Sequence, residues 1–334
     1  MNKYIFFRTD RIGDFLLSGV LIKAIKRNDP SSHITVVGSI KNYNFIKNVN
    51  FIDTAIVYPE KIFDRFKFFL NFVNKKYFFS CVLDGKKRSI YTNILINAKI
   101  KVICSYKVFF KFIFYFFFKK ILIDSDYPTK IDEMKSILKI LDFNFENHDL
   151  NILTERKYDQ DEIFAFLNNK KNFILFHLDE KWIYDQYLKS YMNIEPNSYL
   201  DLIDFLEEIT KKTNNDLLIT TGIIYNKFIE CCRDDFIEIN KNIYSFNNKK
   251  IFFLDNLSID QLEHTISKCS TLVSCHGSVT HIASAFNKRI IDIIDISEKL
   301  FFDKWSAHFR NYTQLQRLEF KELSDLILKK LLNN

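Results

Sequence analysis

Four stretches of the sequence place acid–base or anion-binding residue types at the spacing of a strand-to-helix turn. The first is Arg8-Thr9-Asp10-Arg11-Ile12-Gly13-Asp14. Asp14 falls near the start of a helical pattern, where a carboxylate serves either as a cap or as a general base. Gly13 permits a tight turn, and Arg8 and Arg11 offer guanidinium donors to an anion. The second is Asp84-Gly85-Lys86-Lys87-Arg88-Ser89, whose three cations are phosphate ligands or solvated turn residues. The third, Phe176 to Trp182, carries Lys181. An ammonium on a loop past a strand either holds a diphosphate as a point charge or is an ordinary surface lysine.

The fourth stretch runs from Ser274 to Ala283 and contains His276, Gly277, Ser278 and His281. Gly277 lets the backbone approach a phosphate, and Ser278 caps the following helix or donates its hydroxyl. The free N–H groups and the dipole of that helix make an anion site. His276 and His281 stand five apart, a poor match to the i, i+4 pair that binds a metal. Each is otherwise a structural histidine. Asp124-Ser125-Asp126 is a D-x-D, a pattern short enough to arise by chance and preceded by a basic apolar segment instead of a clear strand. No G-x-G-x-x-G is present, which argues against a dinucleotide-dependent oxidoreductase. No metal-ligand set is visible, and no cofactor is expected.

Positioning such turns requires alternating strands and helices. Apolar runs predict strands over 4–7, 34–37, 55–57 and 78–83, with helical patterns between them, notably over 15–25 and 134–141. Residues 144–171 are polar and charged, with a short helical piece near 163–167, and read as a connection. The alternation then restarts, with strands expected over 173–177, 217–221, 251–254, 271–274 and 290–294. Helices are expected over 200–209, 227–232, 259–267 and 279–286. Phe320, Leu323, Leu326, Ile327 and Leu331 form one stripe of a terminal helix. The pattern is α/β: two doubly wound parallel-sheet domains with a cleft between the carboxyl ends of their strands.

The 334 residues exceed what one core usually holds. Six glycines, against a usual share of about 7%, exclude collagen-like and Gly-rich disordered chains and point to glycine kept where little else will do. Residues 1–150 carry 25 Lys and Arg against 14 Asp and Glu, whereas 151–334 carry 23 against 27. The basic half suggests an anionic partner or a solvated basic face. No aromatic-interleaved RNA motif is present, so no nucleic-acid partner is expected. Cys81, Cys104, Cys231, Cys232, Cys269 and Cys275 include no C-x-x-C pair and read as free thiols in a reducing compartment. Met1-Asn2-Lys3 leads straight into the first strand, so no signal peptide is expected. Val108–Phe118, VFFKFIFYFFF, is either a core helix or an aromatic patch for a membrane interface.

Taken in order, the motifs resemble glycosyltransferase family 9, the heptosyltransferases of lipopolysaccharide assembly. FFRTDRIGDFLLSGVLIKAIKR is similar to that family's opening motif, and FILFHLDEKW to the start of its second domain. LSIDQLEHTISKCSTLVSCHGSVTHIASAFNKRIIDII is similar to its nucleotide-binding helix–strand–helix. The resemblance implies a GT-B fold: an acceptor-binding Rossmann-like domain over 1–155 and a nucleotide-sugar-binding one over 172–334, facing a central cleft. The terminal helix, 318–332, is a candidate to pack back on the first domain. It implies inverting, metal-independent transfer of a heptose or related sugar from a nucleotide sugar, ADP-heptose among the candidates. Asp14 matches the family's proposed base, Lys181 its phosphate lysine, Gly277 and Ser278 its diphosphate turn, and His281 its helix histidine, with His276 beside them. Arg8, Arg11, Gly13, Lys86 and Arg88 would meet an anionic glycolipid or oligosaccharide acceptor. The protein would be cytoplasmic, peripheral on the inner face of the membrane. The family usually has Asp-Ser/Thr-Gly where this chain has His276-Gly277-Ser278. Alternatives are another GT-B sugar enzyme, an epimerase or pyruvyl transferase, and a non-catalytic degenerate transferase.

Overall fold

Runs such as KYIFF and YFFSCV are apolar along their whole length, the mark of parallel strands buried on both faces. In the computed structural model they form β1 (Lys3–Phe7), β2 (His33–Gly38), β3 (Thr54–Val57), β4 (Tyr77–Val82), β5 (Ala98–Ser105) and β6 (Lys120–Ile123). The described residues are 1–105, 114–153, 161–170, 172–183, 194–222, 235–246 and 250–333. The chain divides into two units, Met1–Arg156 and Lys157–Asn334. The first unit's sheet has the order β3-β2-β1-β4-β5-β6, parallel throughout. Strand order reverses between β1 and β4. The loops after these two strands therefore leave one sheet edge on either side of a switch point, where open α/β sheets present ligand groups. The expected strands are all found. β5 and β6 were not expected, because Lys99, Lys101 and Lys120 interrupt their apolar runs.

The helices of this unit are α1 (Ile12–Asn28), α2 (Tyr43–Ile46), α3 (Ile62–Val73), α4 (Lys87–Leu95) and α5 (Lys130–Ile140). α1 packs against α5 and is buried almost without break from Phe15 to Ile25. Its last turn is tied down by Arg27, which donates to both oxygens of the fully buried Asp149 at 3.0 Å. Another core joins Ile5, Phe7, Val82 and Ile103 of the sheet to Phe68 and Phe72 of α3, Ile90 of α4, Phe114 and Phe118. The aromatic run is thus divided. Residues 106–113 lie outside the described residues, Phe114 and Phe118 are buried in the core, and Tyr115, Phe116 and Phe117 are exposed.

The second unit repeats the plan with α6 (Glu162–Asn168), β7 (Ile174–Leu178), α7 (Tyr199–Thr213), β8 (Leu217–Thr221), β9 (Ile237–Asn240), β10 (Ile243–Ser245), β11 (Ile251–Leu254), α8 (Ile259–Lys268), β12 (Thr271–Cys275), α9 (Ser278–Ala285), β13 (Arg289–Ile294), α10 (Lys299–Ser306), β14 (Tyr312–Gln316) and α11 (Phe320–Leu332). Its sheet order is β14-β13-β12-β7-β8-β11-β10-β9. The reversal falls between β7 and β12, so the loops carrying Lys181 and Gly277 flank the second switch point. Only the β9–β10–β11 edge is antiparallel. Capping boxes start α7 at Ser198 and α8 at Ser258. The helix expected over 227–232 lies outside the described residues, as do Cys231 and Cys232. The other four cysteines are free and buried.

One expectation is corrected. The piece over 163–167 is not a bare connection: α6 packs on α8, with Phe164 against the His264 ring at 4.2 Å. Phe320, Leu323, Ile327 and Leu331 of α11 are buried in the second unit's core with Phe205 and Leu206 of α7.

Glycine is needed at residue 85, where φ is +60° in the turn after β4, a region that costs an L-residue about 1–2 kcal/mol. Gly85→Val is expected to lower unfolding stability by about that amount in a urea titration. An unchanged midpoint would contradict the assignment.

Candidate functional site

The loops after β1 and β4 are joined by one buried carboxylate. Asp84 is 5% exposed. One of its oxygens accepts from the Thr9 N–H at 3.1 Å, the Thr9 hydroxyl at 2.6 Å and the Ser89 hydroxyl at 2.7 Å. The other accepts from the Lys86 N–H at 3.0 Å. An unsatisfied buried carboxylate would be costly, so these bonds fix the two loops to each other. Asn42 adds a further tie by donating to the Arg8 carbonyl at 2.8 Å.

Asp14 sits in the first turn of α1. Its Oδ2 accepts from the Arg11 N–H at 3.2 Å, and its Oδ1 lies 3.7 Å from the Arg8 guanidinium. It is therefore a cap with one oxygen, while the side chain keeps 26% exposure. Arg8 is 3% exposed. It donates to the carbonyls of Leu83 and Asp14 and stands 3.4 Å from Asp10. Expected as an acceptor ligand, it is placed as a brace between the two loops. Lys86 pairs with Asp10 and donates to the Thr9 carbonyl. Arg88 donates to the Thr9 hydroxyl at 3.1 Å and lies over the Tyr58 ring. Arg11 is exposed. The tight turn expected at Gly13 is not there: Gly13 is helical, and Gly85 is the glycine with positive φ.

In the second unit, Asp179 follows β7 directly and is buried. It caps the short turn Glu180–Trp182 and pairs with the Lys181 ammonium. Burial alone would lower the Lys181 pKa, but the charge and hydrogen bond of Asp179 hold it above its ordinary value. Arg317 donates to the Lys181 carbonyl at 2.7 Å, and the Trp182 indole to the His177 carbonyl at 3.0 Å, so the loop is braced from both sides. Gly277, at the start of α9, faces the ammonium. A Cβ at this position would stand 2.6 Å from Lys181 Nζ, so the glycine leaves the ammonium room beside the start of α9. Ser278 is the first residue of α9, where N–H groups have no carbonyl one turn back to bind.

His276 Nδ1 donates to Asp292 at 2.6 Å, and the Tyr312 hydroxyl donates to the same carboxylate oxygen at 2.7 Å. His276 thus belongs to a buried Asp–His pair, which leaves Nε2 as the imidazole's other polar atom. His281 lies farther in. It is 6% exposed, its Nδ1 has no hydrogen-bond partner, and its ring packs on His276, His308 and Phe309. Burial, then the neighbouring His276 and His308, hold its pKa well below the ordinary value. Burial and His276 push His308 down to about 4, and burial does the same for His177.

The two units each bring their expected residues to a switch point: Arg8, Arg11, Asp14, Lys86 and Arg88 in the first, and Lys181, His276, Gly277 and Ser278 in the second. The carboxylates that hold these groups, Asp84, Asp179 and Asp292, were not read from the sequence as site residues. Asp292 left a signal, a charge inside the apolar strand RIIDII. Asp84 and Asp179 left a weaker one, an acid just past a buried strand with a cation two residues on. The D-x-D does follow a strand, β6, and its Asp124 pairs with the buried Lys130.

Two doubly wound units of this kind in one chain define the GT-B class of fold. Solved structures agree. The chain is similar to a family 9 glycosyl transferase from Veillonella parvula, at 13% identity and TM-score 0.67 over 98% of this chain and 89% of that one. It is similar to the E. coli ADP-heptose lipopolysaccharide heptosyltransferase II, at 13% identity and TM-score 0.67 over 99% and 98%. A UDP-GlcNAc 2-epimerase from Methanocaldococcus jannaschii follows at 11% identity and TM-score 0.57 over 100% and 93%. No protein-family model and no curated protein matches the chain. The likeness to family 9 that the motifs carry is therefore met by the fold.

The histidines set a pH dependence. The unfolded chain takes up these protons near pH 6.5, whereas folded His177 and His308 do so only near 4. Between those values the unfolded state binds more protons, so their contribution to stability is full above about pH 6.5 and is lost as pH falls toward 4. The melting temperature is expected to fall across that window, and less steeply in His308→Gln. Parallel curves for the two proteins would contradict this.

Proposed function

We propose that the protein is a glycosyltransferase that moves a sugar from a nucleotide sugar to an anionic glycan acceptor. The observation that carries the reading is the meeting of Lys181 with Gly277 at the second unit's switch point, in a chain with the fold of heptosyltransferases. Lys181 is a fixed cation at the turn opening α9, and a leaving diphosphate gains negative charge. The ammonium, the first N–H groups of α9 and the helix dipole stabilise that charge as it develops. Lys181 takes the place of a metal ion in that role, which makes the transfer metal-independent.

Asp14 is the base of the first unit. As the acceptor oxygen forms its bond to the anomeric carbon, its proton passes to the Asp14 carboxylate and the bond to the diphosphate oxygen breaks. A single displacement inverts the anomeric configuration. The Arg11 N–H and the Arg8 guanidinium orient the carboxylate. Lys86, Arg88 and Arg11 line the same turns and supply cations to an acceptor bearing phosphate or carboxylate groups. The resemblance and the structural likeness together favour a heptose or related sugar, with ADP-heptose the first donor to try, and a lipopolysaccharide-core type of acceptor. His276, held by Asp292, stands at the donor turn and would set which sugar is taken. On this reading the reaction would take place in the cytoplasm, at the inner face of a membrane that holds the acceptor. The likeness to the epimerase supports a second reading, a sugar enzyme that rearranges its nucleotide sugar without an acceptor. Product analysis of a single turnover separates the two.

Asp14→Asn is expected to reduce turnover by about 10²–10⁴-fold while nucleotide affinity, read by thermal shift with ADP, GDP and UDP, stays unchanged. Retained turnover would remove Asp14 from the role of base. Lys181→Ala is expected to raise the donor KM and abolish the thermal shift by the diphosphate. A donor KM equal to that of the parent would sink the assignment of Lys181.

A further inference from the structure

One helix of the first unit is apolar on two opposite sides. α3 reads IFDRFKFFLNFV. Phe68 and Phe72 are buried in the core against the sheet. At 100° per residue, Phe63, Phe66 and Leu70 share the stripe pointing the other way, and they are 87%, 67% and 52% exposed. A helix over a sheet needs only one apolar stripe, and its outer face is normally polar. Further exposed rings lie on elements that share the same buried core. Tyr115, Phe116 and Phe117 are exposed, 89% at Phe116. They sit between Phe114 and Phe118, which are buried in the same core as Phe68 and Phe72. Tyr91 of α4 is exposed and touches Phe114 edge-on. α3, α4 and the 114–118 turn therefore cover one face of the sheet and all present aromatic rings outward. Clusters of this kind mark interaction surfaces.

The charge on these same elements identifies the occupant. Residues 58–120 contain 14 Lys and Arg against 3 Asp and Glu. The rest of residues 1–150 is balanced, 11 against 11. All of the first half's positive excess lies in the stretch that carries the exposed aromatics. Lys61, Lys67, Lys75 and Lys76 stand on or beside α3, and Lys119 and Lys120 follow the aromatic turn, all exposed. A protein partner would be met by apolar contact or by charge. Aromatic rings ringed by lysine match a layered surface, anionic headgroups above an apolar interior. No helix among the described residues is long and apolar enough to cross a membrane, so contact would be made at the interface.

We infer that the outer face of α3, with the Tyr115–Phe117 turn, docks the protein on an anionic lipid bilayer by inserting aromatic side chains at headgroup depth. The inference deepens the proposed function, since a transferase docked there meets an acceptor anchored in the same leaflet. It also has a readout independent of turnover. The full chain is sedimented with vesicles of phosphatidylglycerol and phosphatidylethanolamine, and separately with phosphatidylcholine vesicles. Binding is expected on the first and not the second, weakening as salt is raised. Phe63→Ser/Phe66→Ser/Leu70→Ser is expected to weaken partitioning by about ten-fold or more with an unchanged melting temperature. Phe116→Ser/Phe117→Ser, on a different element, tests the same surface should the helix variant misfold. Equal partitioning of the folded variants, or no binding by the parent chain, would overturn the inference. So would concentration-dependent dimerisation of the parent that the variants abolish, which would assign the face to a second copy. Turnover on a detergent-free soluble acceptor fragment distinguishes the two readings. Variants that lose vesicles but keep this turnover support the docking face, and a parent chain that binds vesicles without turnover leaves docking standing and removes the transferase.

Discussion

A buried carboxylate at each switch point holds the chemistry of this protein in place. Asp84 gathers the hydroxyls of Thr9 and Ser89 and two backbone N–H groups. Asp179 holds the Lys181 ammonium and caps the turn that carries it. A carboxylate taken out of water is tolerated only when its lone pairs are met. The loops that meet them therefore cannot wander without exposing an unpaired charge. The sheet order decides where this happens, because only at the reversal do two neighbouring strands send their loops to opposite sides of a shared gap.

The cations follow the same division of labour. Arg8, with a planar fork of donors, is buried and bridges the Leu83 and Asp14 carbonyls while flanking two carboxylates. It sets geometry. Lys181, a compact charge, is brought by Asp179 to a glycine whose missing side chain leaves the ammonium facing the start of α9. That arrangement suits a ligand with concentrated negative charge. The imidazole of His276, held by Asp292 and Tyr312, adds an oriented polar group to the same turn. The histidines behind it remain neutral because burial opposes their charging.

The architecture was legible because the first sheet is parallel throughout and the second is parallel except at its β9–β10–β11 edge. Their strands are continuous apolar runs, and the turns between them carry the glycines and charges. Strands β5 and β6 escaped because lysines break their apolar runs, and β9 because all four of its residues are exposed. The site was legible in its polar tips but not in its supports. Lys181, Gly277 and Asp14 stand out by type and position. The roles of Asp84 and Asp179 depend on partners 75 residues away or on a buried environment that no local pattern records. Arg8 shows the same limit. By type it reads as a ligand for an anion, and only its burial shows that it braces the loops. Gly13 and Gly85 exchange roles for a related reason: both precede or open a helix, and only the backbone angle shows which turn requires glycine.

In the proposed function the second unit's switch point receives the diphosphate of a nucleotide sugar. A crystal structure of the chain soaked with ADP or UDP tests it most directly. The β-phosphate is expected within hydrogen-bonding distance of Lys181 Nζ and of the backbone N–H groups that open α9, with the Asp179–Lys181 pair intact. A nucleotide bound elsewhere, with Lys181 still enclosed and no phosphate near Gly277, would contradict it.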